Sequence, residues 1–411
     1  MTARKTKLLF YCQHVLGMGH LIRSLEIVRG LSDFDVCFLN GGESIAGFRP
    51  PAHIEIINLP PISSDAAFRE LHATDNQRSL EQTREIRKNL LLETCARVQP
   101  EVLVIEMFPF GRRKFAFELI PLLESAKARN PQTKIVCSLR DILVSKRDQT
   151  RFENEVCRIV AQYFDLVLVH SDPRFQRLDE TFFRTSDLNC PVVYTGFVAQ
   201  TSSTSSPADL LPSGQGEKTI LVSIGGGRVG SELIHCAIKA SRMIGDQVPH
   251  RLLIFTGPYL PEAEFQQIQT LIIDRPAVTL QRYTTDFLSL LRGADLSISM
   301  AGYNTSMNII VSGTRAIVYP FTGNNDQEQT IRADKLQALG LVEVIQPHEL
   351  NPERMKALML HALSQPQRNT DAPALDLNGV SGTASALIEL ITGGAGRFLE
   401  RGSRWREKPG S

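Results

Sequence analysis

Short apolar runs alternate along the chain with longer stretches whose apolar positions recur every three or four residues. In the first half the runs are LLFYC (8–12), DVCFLN (35–40), IEIINL (54–59), EVLVIEM (101–107), KIVCSL (134–139) and DLVLVH (165–170), followed by a short VVYT (192–195). They are apolar almost throughout rather than at every second position. That pattern predicts strands of a parallel sheet covered on both faces. Between them, LIRSLEIVRGL (21–31) places Leu21, Leu25, Val28 and Leu31 on one helical face. A second long helix is predicted from about Ser79 to Val98, ending before Pro100. The βαβα order predicts a doubly wound α/β fold.

The rhythm breaks at 199–217, a stretch rich in Ser, Pro and Gly and poor in apolar residues, which reads as a linker. Beyond it the rhythm resumes. Strand-like runs are TILVSI (219–224), RLLIFT (251–256), VTLQ (278–281), DLSISM (295–300), RAIVY (315–319) and LVEVI (341–345). Helices are predicted around 231–243, 262–273, 286–292, 304–311 and 327–339. The expected organisation is an N-terminal Rossmann-like domain at 1–198, a linker at 199–217, a second Rossmann-like domain at 218–375, a terminal helix at 376–392 and a tail at 393–411. The tail carries five basic and two acidic residues and reads as a disordered end, with a charge that would also suit an anionic surface.

Composition narrows the function. The chain holds 45 Lys+Arg against 44 Asp+Glu, so no strong basic excess points to nucleic acid. The seven cysteines are scattered and form no C-x-x-C pair, which predicts buried thiols of a reducing compartment rather than disulfides or zinc ligands. No window approaches the roughly 18 apolar residues of a membrane span. The expectation is a cytoplasmic protein, with peripheral contact at the inner face of a membrane left open.

Three glycine clusters follow predicted strands: Gly17-Met18-Gly19, Gly225-Gly226-Gly227 and Ala301-Gly302. Each precedes a predicted helix, and backbone N–H groups at a helix start favour an anion. A nicotinamide-type dinucleotide site is disfavoured. The full G-x-G-x-x-G is absent, and the second strand ends in Asn40-Gly41-Gly42 with no acidic residue for a ribose. The P-loop pattern is missing too. The densest polar stretch is 295–340. It carries Asn304 and Thr305 at a helix start and the loop Asn324-Asn325-Asp326-Gln327-Glu328-Gln329 after another strand, which suits a ligand with many hydroxyls.

These residues carry a resemblance. LVSIGGGRVGSELI (221–234), LLIFTGP (252–258), VTLQRYTTDFLSLLRGADLSISMAG (278–302) and the DQEQ segment through Gly340 resemble the donor-binding domain of family-28 (MurG-like) glycosyltransferases. The first half adds the GMGH loop. The resemblance implies the GT-B fold: two Rossmann-like domains facing each other across a cleft. It also implies an inverting, metal-independent transfer from a nucleotide-diphosphate sugar, UDP favoured, to an acceptor hydroxyl, with no further cofactor. Gly225, Gly226, Gly227, Arg228, Ala301 and Gly302 would then meet the diphosphate, and Tyr283 would lie at the nucleobase. Asn304, Thr305 and Asn308 would line the nucleotide. Asp326, Gln327, Glu328 and Gln329 would span the sugar contact. Members commonly carry a glutamate where this chain has Asn308. The acceptor is not given by the sequence.

Inverting transfer needs a base for the acceptor hydroxyl. His20, after the first strand, can titrate near neutrality, and Glu106, at the end of the fourth run, could orient and charge-stabilise it. Gly17, Met18, Gly19, Arg140 and Asp141 are the other acceptor-side candidates, Arg140-Asp141 having a plain salt bridge as its simpler explanation. Arg112-Arg113-Lys114 and Lys146-Arg147 read as solvated faces; if functional, they would suit an acceptor bearing a phosphate or a lipid phosphate. Two other classes stay open: a nucleotide-sugar epimerase or hydrolase of the same fold, and a non-catalytic nucleotide-sugar sensor.

Overall fold

A computed structural model describes residues 4–15, 18–43, 54–64, 70–74, 77–200, 217–323, 326–365 and 375–393. Gly17, most of the expected linker, Asn324-Asn325 and nearly all of the expected tail lie outside the described residues. Contacts divide the chain into two compact units. Among the described residues the first takes 4–15, 20–198 and 375–393, and the second takes 18–19, 199–200, 217–323 and 326–365.

The first unit is built on seven strands: β1 (Thr6–Cys12), β2 (Phe34–Asn40), β3 (Glu55–Asn58), β6 (Val102–Glu106), β7 (Lys134–Arg140), β8 (Leu166–His170) and β9 (Val192–Tyr194). They pair in the order β3-β2-β1-β6-β7-β8-β9, every pair parallel. Its helices are α1 (Gly19–Arg29), α2 (Leu80–Val98), α3 (Ala116–Arg129) and α4 (Gln149–Tyr163). A small antiparallel pair, β4 (Ile62–Ser64) with β5 (Leu71–Ala73), stands apart from the main sheet.

The second unit repeats the plan. Strands β10 (Lys218–Ser223), β11 (His250–Phe255), β12 (Val278–Gln281), β13 (Leu296–Met300), β14 (Ala316–Tyr319) and β15 (Glu343–Val344) pair as β12-β11-β10-β13-β14-β15, again all parallel. Its helices are α5 (Ser231–Ile244), α6 (Glu262–Leu271), α7 (Phe287–Gly293), α8 (Tyr303–Ser312), α9 (Glu328–Ala338) and α10 (Pro352–Ser364). The last helix, α11 (Gly379–Ile391), groups with the first unit. There the Gly379 N–H donates to Phe197 O at 3.0 Å.

The central strands are buried along their length, as their unbroken apolar runs predict; Leu8 to Cys12 and Leu103 to Ile105 are all at most 1% exposed. Three helices were not anticipated. α3 carries Pro121 inside it, and its start has no side-chain cap. α4 and α10 are capped by Asp148 and Asn351, whose side chains accept from Arg151 N and Arg354 N. The predicted α1 stripe also overran: the helix stops at Arg29, and Leu31 is buried in the turn beyond it.

One buried ion pair ties the first unit together. Arg87 on α2 donates from Nε and Nη2 to the two carboxylate oxygens of Glu118 on α3, at 2.8 and 2.6 Å. Its Nη1 donates to Gly41 O and Pro60 O, both at 2.8 Å, and Nη2 also reaches Gln13 Oε1 at 2.6 Å. One guanidinium thus fixes the segments leaving β1, β2 and β3.

Candidate active site

In both sheets the strand order reverses once, at β1/β6 and at β10/β13. Loops leaving the carboxyl ends of such strands diverge, and the crevice they open is where open α/β sheets bind ligands. His20 and Glu106 of the first unit, and the Gly225–Gly227 and Ala301-Gly302 turns of the second, issue from those two strands; the remaining candidates follow these strands or neighbouring ones.

In the first unit, β1 leads into α1 and puts His20 in the first helical turn. β6 ends on Glu106, which is fully buried. Histidine Nδ1 lies 2.6 Å from Glu106 Oε1. Arg23, one turn further along α1 and buried, donates from Nη2 to the same oxygen at 2.5 Å. The loop after β6 returns Arg112 to this cluster through left-handed backbone at Met107 (φ 66°) and Arg112 (φ 57°). Arg112 Nε donates to Gln13 O at 2.7 Å and lies 3.9 Å from Glu106 Oε2. Arg112 is therefore part of the site and not of a solvated face: its side chain is 11% exposed, because the carboxylate behind it offsets the loss of water.

The electrostatics assign the protons. Burial alone would raise the Glu106 pKa, but His20, Arg112 and Arg23 outweigh it and hold the carboxylate down at about 2. Burial pushes the His20 imidazole well below its usual range; Glu106 opposes this, and Arg112 and Arg23 reinforce it. The ring keeps 21% of its side-chain surface, so water still reaches part of it. An ionised carboxylate cannot donate, so the proton in the 2.6 Å contact sits on His20 Nδ1. Nε2 then carries a lone pair.

Other polar groups line the same sheet edge. His14 Nε2 meets Asn40 Oδ1 at 3.2 Å. His170, fully buried at the end of β8, lies between Ser138 Oγ at 2.7 Å and Thr195 Oγ1 at 2.9 Å. Asp141 is fully buried beyond β7; burial lowers the pKa of Arg112, and the charge of Arg140, at the strand end, adds to that effect. Met18 is buried and Gly19 opens α1.

In the second unit, β10 runs into Gly225-Gly226-Gly227, with φ of 67° at Gly225 and 89° at Gly227. A Cβ on Gly227 would fall 2.3 Å from Thr256 O, and one on Gly257, after β11, would fall 2.3 Å from Gly226 C. The two loops interlock backbone to backbone, which only glycine permits. Gly225, by contrast, has nothing within 4 Å of its Cβ position and is exposed. Arg228 lies 4.8 Å over the Tyr259 ring. β13 runs into Ala301 and Gly302, the latter an N-cap with no side-chain cap and open space at its Cβ position. The N–H groups at the start of α8 are thus available to an anion. Asn304 and Thr305 are half-buried in that first turn. Asn308 is buried and donates from Nδ2 to Gln200 Oε1 at 3.0 Å. Tyr283, past β12, is half-buried, and burial raises its pKa.

Asp326 Oδ1 accepts from Glu328 N at 2.9 Å, and Gln329 Oε1 accepts from Phe321 N at 3.2 Å. Gln327 is exposed. Glu328 is buried and accepts from Arg332 Nη2 at 2.8 Å. Arg332, fully buried, also donates from Nη1 to Ala301 O at 3.0 Å. The DQEQ segment and the Ala301-Gly302 turn are thereby joined through one guanidinium.

Sequence reasoning missed Arg23, Arg112, Gly257 and Arg332. Arg23 and Arg332 could have been found from helical spacing, three residues after His20 and four after Glu328. Arg112 could not, because its place depends on the backbone reversal after β6. Among the described residues, no group of three or more His, Cys, Asp or Glu side chains is arranged to hold a metal ion.

Comparison with known proteins places this geometry. Residues 219–386 match the glycosyltransferase family 28 C-terminal domain. A UDP-N-acetylglucosamine--N-acetylmuramyl-(pentapeptide) pyrophosphoryl-undecaprenol N-acetylglucosamine transferase of Agrobacterium fabrum is 28% identical over 181 residues, 44% of this chain and 48% of that protein. The chain thus spans about half the length of the relatives it matches. Two solved structures share the fold along nearly the whole chain. MurG of Acinetobacter baumannii has a TM-score of 0.53 at 16% identity, covering 95% of this chain and 99% of that one. The calicheamicin glycosyltransferase CalG4 has a TM-score of 0.58 at 15% identity, covering 95% and 99%. With its two parallel sheets of one strand order, this chain has the GT-B fold, and its residues 219–386 resemble the C-terminal domain of glycosyltransferase family 28.

Proposed function

We propose that the chain is an inverting, metal-independent hexosyltransferase that moves a sugar from a nucleotide-diphosphate sugar to an acceptor hydroxyl. The observation that carries this reading is the His20–Glu106 pair: a neutral imidazole, its Nδ1–H on a buried carboxylate and its Nε2 basic, at the switch point of the first sheet. Nε2 takes the proton of the acceptor hydroxyl. That oxygen attacks the anomeric carbon as the nucleoside diphosphate departs on the opposite face. Negative charge growing on the diphosphate meets the α8 N-terminus and the backbone of Gly225–Gly227, which can do electrostatically what a metal does elsewhere. Asp326, Gln327, Glu328 and Gln329 are assigned to the donor sugar, Tyr283 to the base, and Arg228, Asn304, Thr305 and Asn308 to the nucleotide. Gly19, Met18, Arg140 and Asp141 are assigned to the acceptor.

The relatives are named for UDP-N-acetylglucosamine and a pyrophosphoryl-undecaprenol acceptor. Those names support a UDP-sugar donor and an acceptor bearing a lipid or phosphate group. The undecaprenol in those names supports peripheral contact with a membrane, and we assign the enzyme to the cytoplasmic side. Among the described residues, no helix is long and apolar enough to cross one.

The test is UDP release from UDP-sugars with and without a panel of hydroxyl acceptors. Release that requires an acceptor, and that is lost in His20→Gln, is expected. Epimerised or hydrolysed donor in the absence of any acceptor would replace transfer by the epimerase or hydrolase chemistry of the same fold.

A further inference from the structure

Glu106 Oε1 receives two donors at once. His20 Nδ1 stands 2.6 Å from it and Arg23 Nη2 stands 2.5 Å from it, while the two nitrogens are 3.4 Å apart. A guanidinium never accepts a hydrogen bond and does not give up its proton at any ordinary pH. It therefore demands an oxygen lone pair. With Arg23 donating to Oε1, that oxygen cannot carry a proton without costing the guanidinium its acceptor, so toward His20 it acts as an acceptor; Oε2, which has no hydrogen-bond partner, could take a proton only by giving up the negative charge on which Arg23 and Arg112 converge. Arg23 is 3% exposed, so water cannot take over its place.

We propose that Arg23 is a positioning residue: by donating to the Glu106 oxygen that also receives the His20 Nδ1–H, it keeps the carboxylate ionised and so fixes the imidazole in the tautomer with a basic Nε2. The role rests on the glycosyltransferase reading only for its consequence in turnover. The proton arrangement itself can be observed without any substrate.

The surroundings decide the sign of the effect. Three charges bear on His20 directly: Glu106 from β6, Arg112 from the loop after it and Arg23 from α1. Behind them, Cys12 of β1 and Arg140 of β7 bear on Arg112. His14, past β1, feels Arg112 and Glu106, while His170 of β8 feels Arg23 and Glu106. Cys137 of β7 feels Glu106. Arg23 and Arg112 are like charges to a protonated His20, so each makes protonation harder. Glu106 makes it easier. Removing Arg23 alone therefore leaves one opposing cation instead of two and moves the His20 titration upward.

The experiment is nitrogen-15 NMR of the intact chain labelled at its histidines, with His20 assigned by its loss in H20Q. In the native chain the Nδ1–H tautomer of His20 is expected at neutral pH. In R23Q the His20 midpoint is expected to rise by about one pH unit or more, with a mixture of tautomers. R23K keeps the charge and is expected to hold the midpoint within about 0.3 pH unit and to retain the tautomer. The acid limb of kcat/KM is expected to follow the same order, with R23Q down about tenfold or more and R23K recovering most of it. A folded R23Q with an unchanged midpoint and a pure Nδ1–H tautomer overturns the proposal. If R23Q does not fold, R23K decides: a midpoint displaced by a full unit, or loss of the tautomer with the charge still present, overturns it as well. If the NMR result holds and no acceptor supports turnover, it is the glycosyltransferase reading that fails.

Discussion

His20 Nδ1 and Glu106 Oε1 are 2.6 Å apart although 86 residues separate them in sequence. The contact joins the ends of two strands that pair in the sheet, with Tyr11 of β1 opposite Ile105 of β6. Replacing His20 by Ala or Gln is expected to lower kcat by about 10²–10⁴ with little change in donor KM, the loss expected of a general base. Glu106→Gln keeps the shape and removes the charge, and is expected to cost less than loss of His20 itself. Steady-state UDP release in the variants checks both.

Acid is expected to destabilise the first unit early. Burial holds His14 at about 4 and His170 at about 3, with His20 also depressed, against an ordinary value of 6.5. A histidine neutral in the fold contributes stability that is fully present above 6.5 and is lost as pH falls from there toward its folded pKa, because the unfolded chain takes up the proton first. Each such group steepens the loss by about 1.4 kcal/mol per pH unit in that window. Glu106 adds its own loss below about 4.5, its ordinary value, down to about 2. Urea unfolding at pH 7, 6 and 5 checks the slope, and a flat response would contradict the assigned protonation states.

The Arg87–Glu118 pair gives a stability prediction independent of any activity. Both side chains are fully buried. Removing one partner strands a charge, at a cost of about 3–5 kcal/mol. Arg87→Met and Glu118→Gln are each expected to lower the unfolding midpoint in urea strongly. The double substitution to apolar residues of similar size is expected to cost less than the sum of the singles.

Two glycines of the second unit are expected to respond in opposite ways. At Gly302 the backbone is extended, with φ −66°, and a methyl group would meet nothing within 4 Å. Gly302→Ala is expected to fold normally and to weaken UDP binding about tenfold, by standing where the diphosphate approaches the α8 N-terminus. Gly227→Ala has no such room and has φ 89°. It is expected to cost about 1–3 kcal/mol in stability. Thermal unfolding with and without UDP separates the cases, since a ligand bound only by the native state raises the melting temperature.

Much of this arrangement was legible in the sequence because parallel sheets announce themselves. Unbroken apolar runs such as LLFYC and EVLVIEM gave β1 and β6, and glycine or a chemical group immediately after a run marked the carboxyl edge. Both members of the His20–Glu106 pair could be named from that rule. What stayed hidden was whatever depended on tertiary approach. Pro121 disguised α3, and α4 and α10 begin at Asp148 and Asn351 caps that could have been read but were not. Arg112 looked like part of a charged surface run, and only the left-handed turns at Met107 and Arg112 bring it to Glu106. The i,i+4 spacing of Glu328 and Arg332 was open to reading, but not that the same guanidinium reaches Ala301 O on the other turn.

The seven cysteines are all unpaired, and five of them are buried. Three of the five lie on β1, β2 and β7, where burial pushes the Cys12 and Cys37 thiols up to about 12 and raises the Cys137 thiol well above its ordinary range. Only a thiolate reacts quickly with an alkylating reagent, so these strands carry silent reporters. The native first sheet should ignore iodoacetamide, and each thiol should become reactive only when its own strand opens. Timed alkylation read by mass spectrometry would then give an opening clock for the middle of the sheet that holds His20 and Glu106, with no residue of the chain substituted.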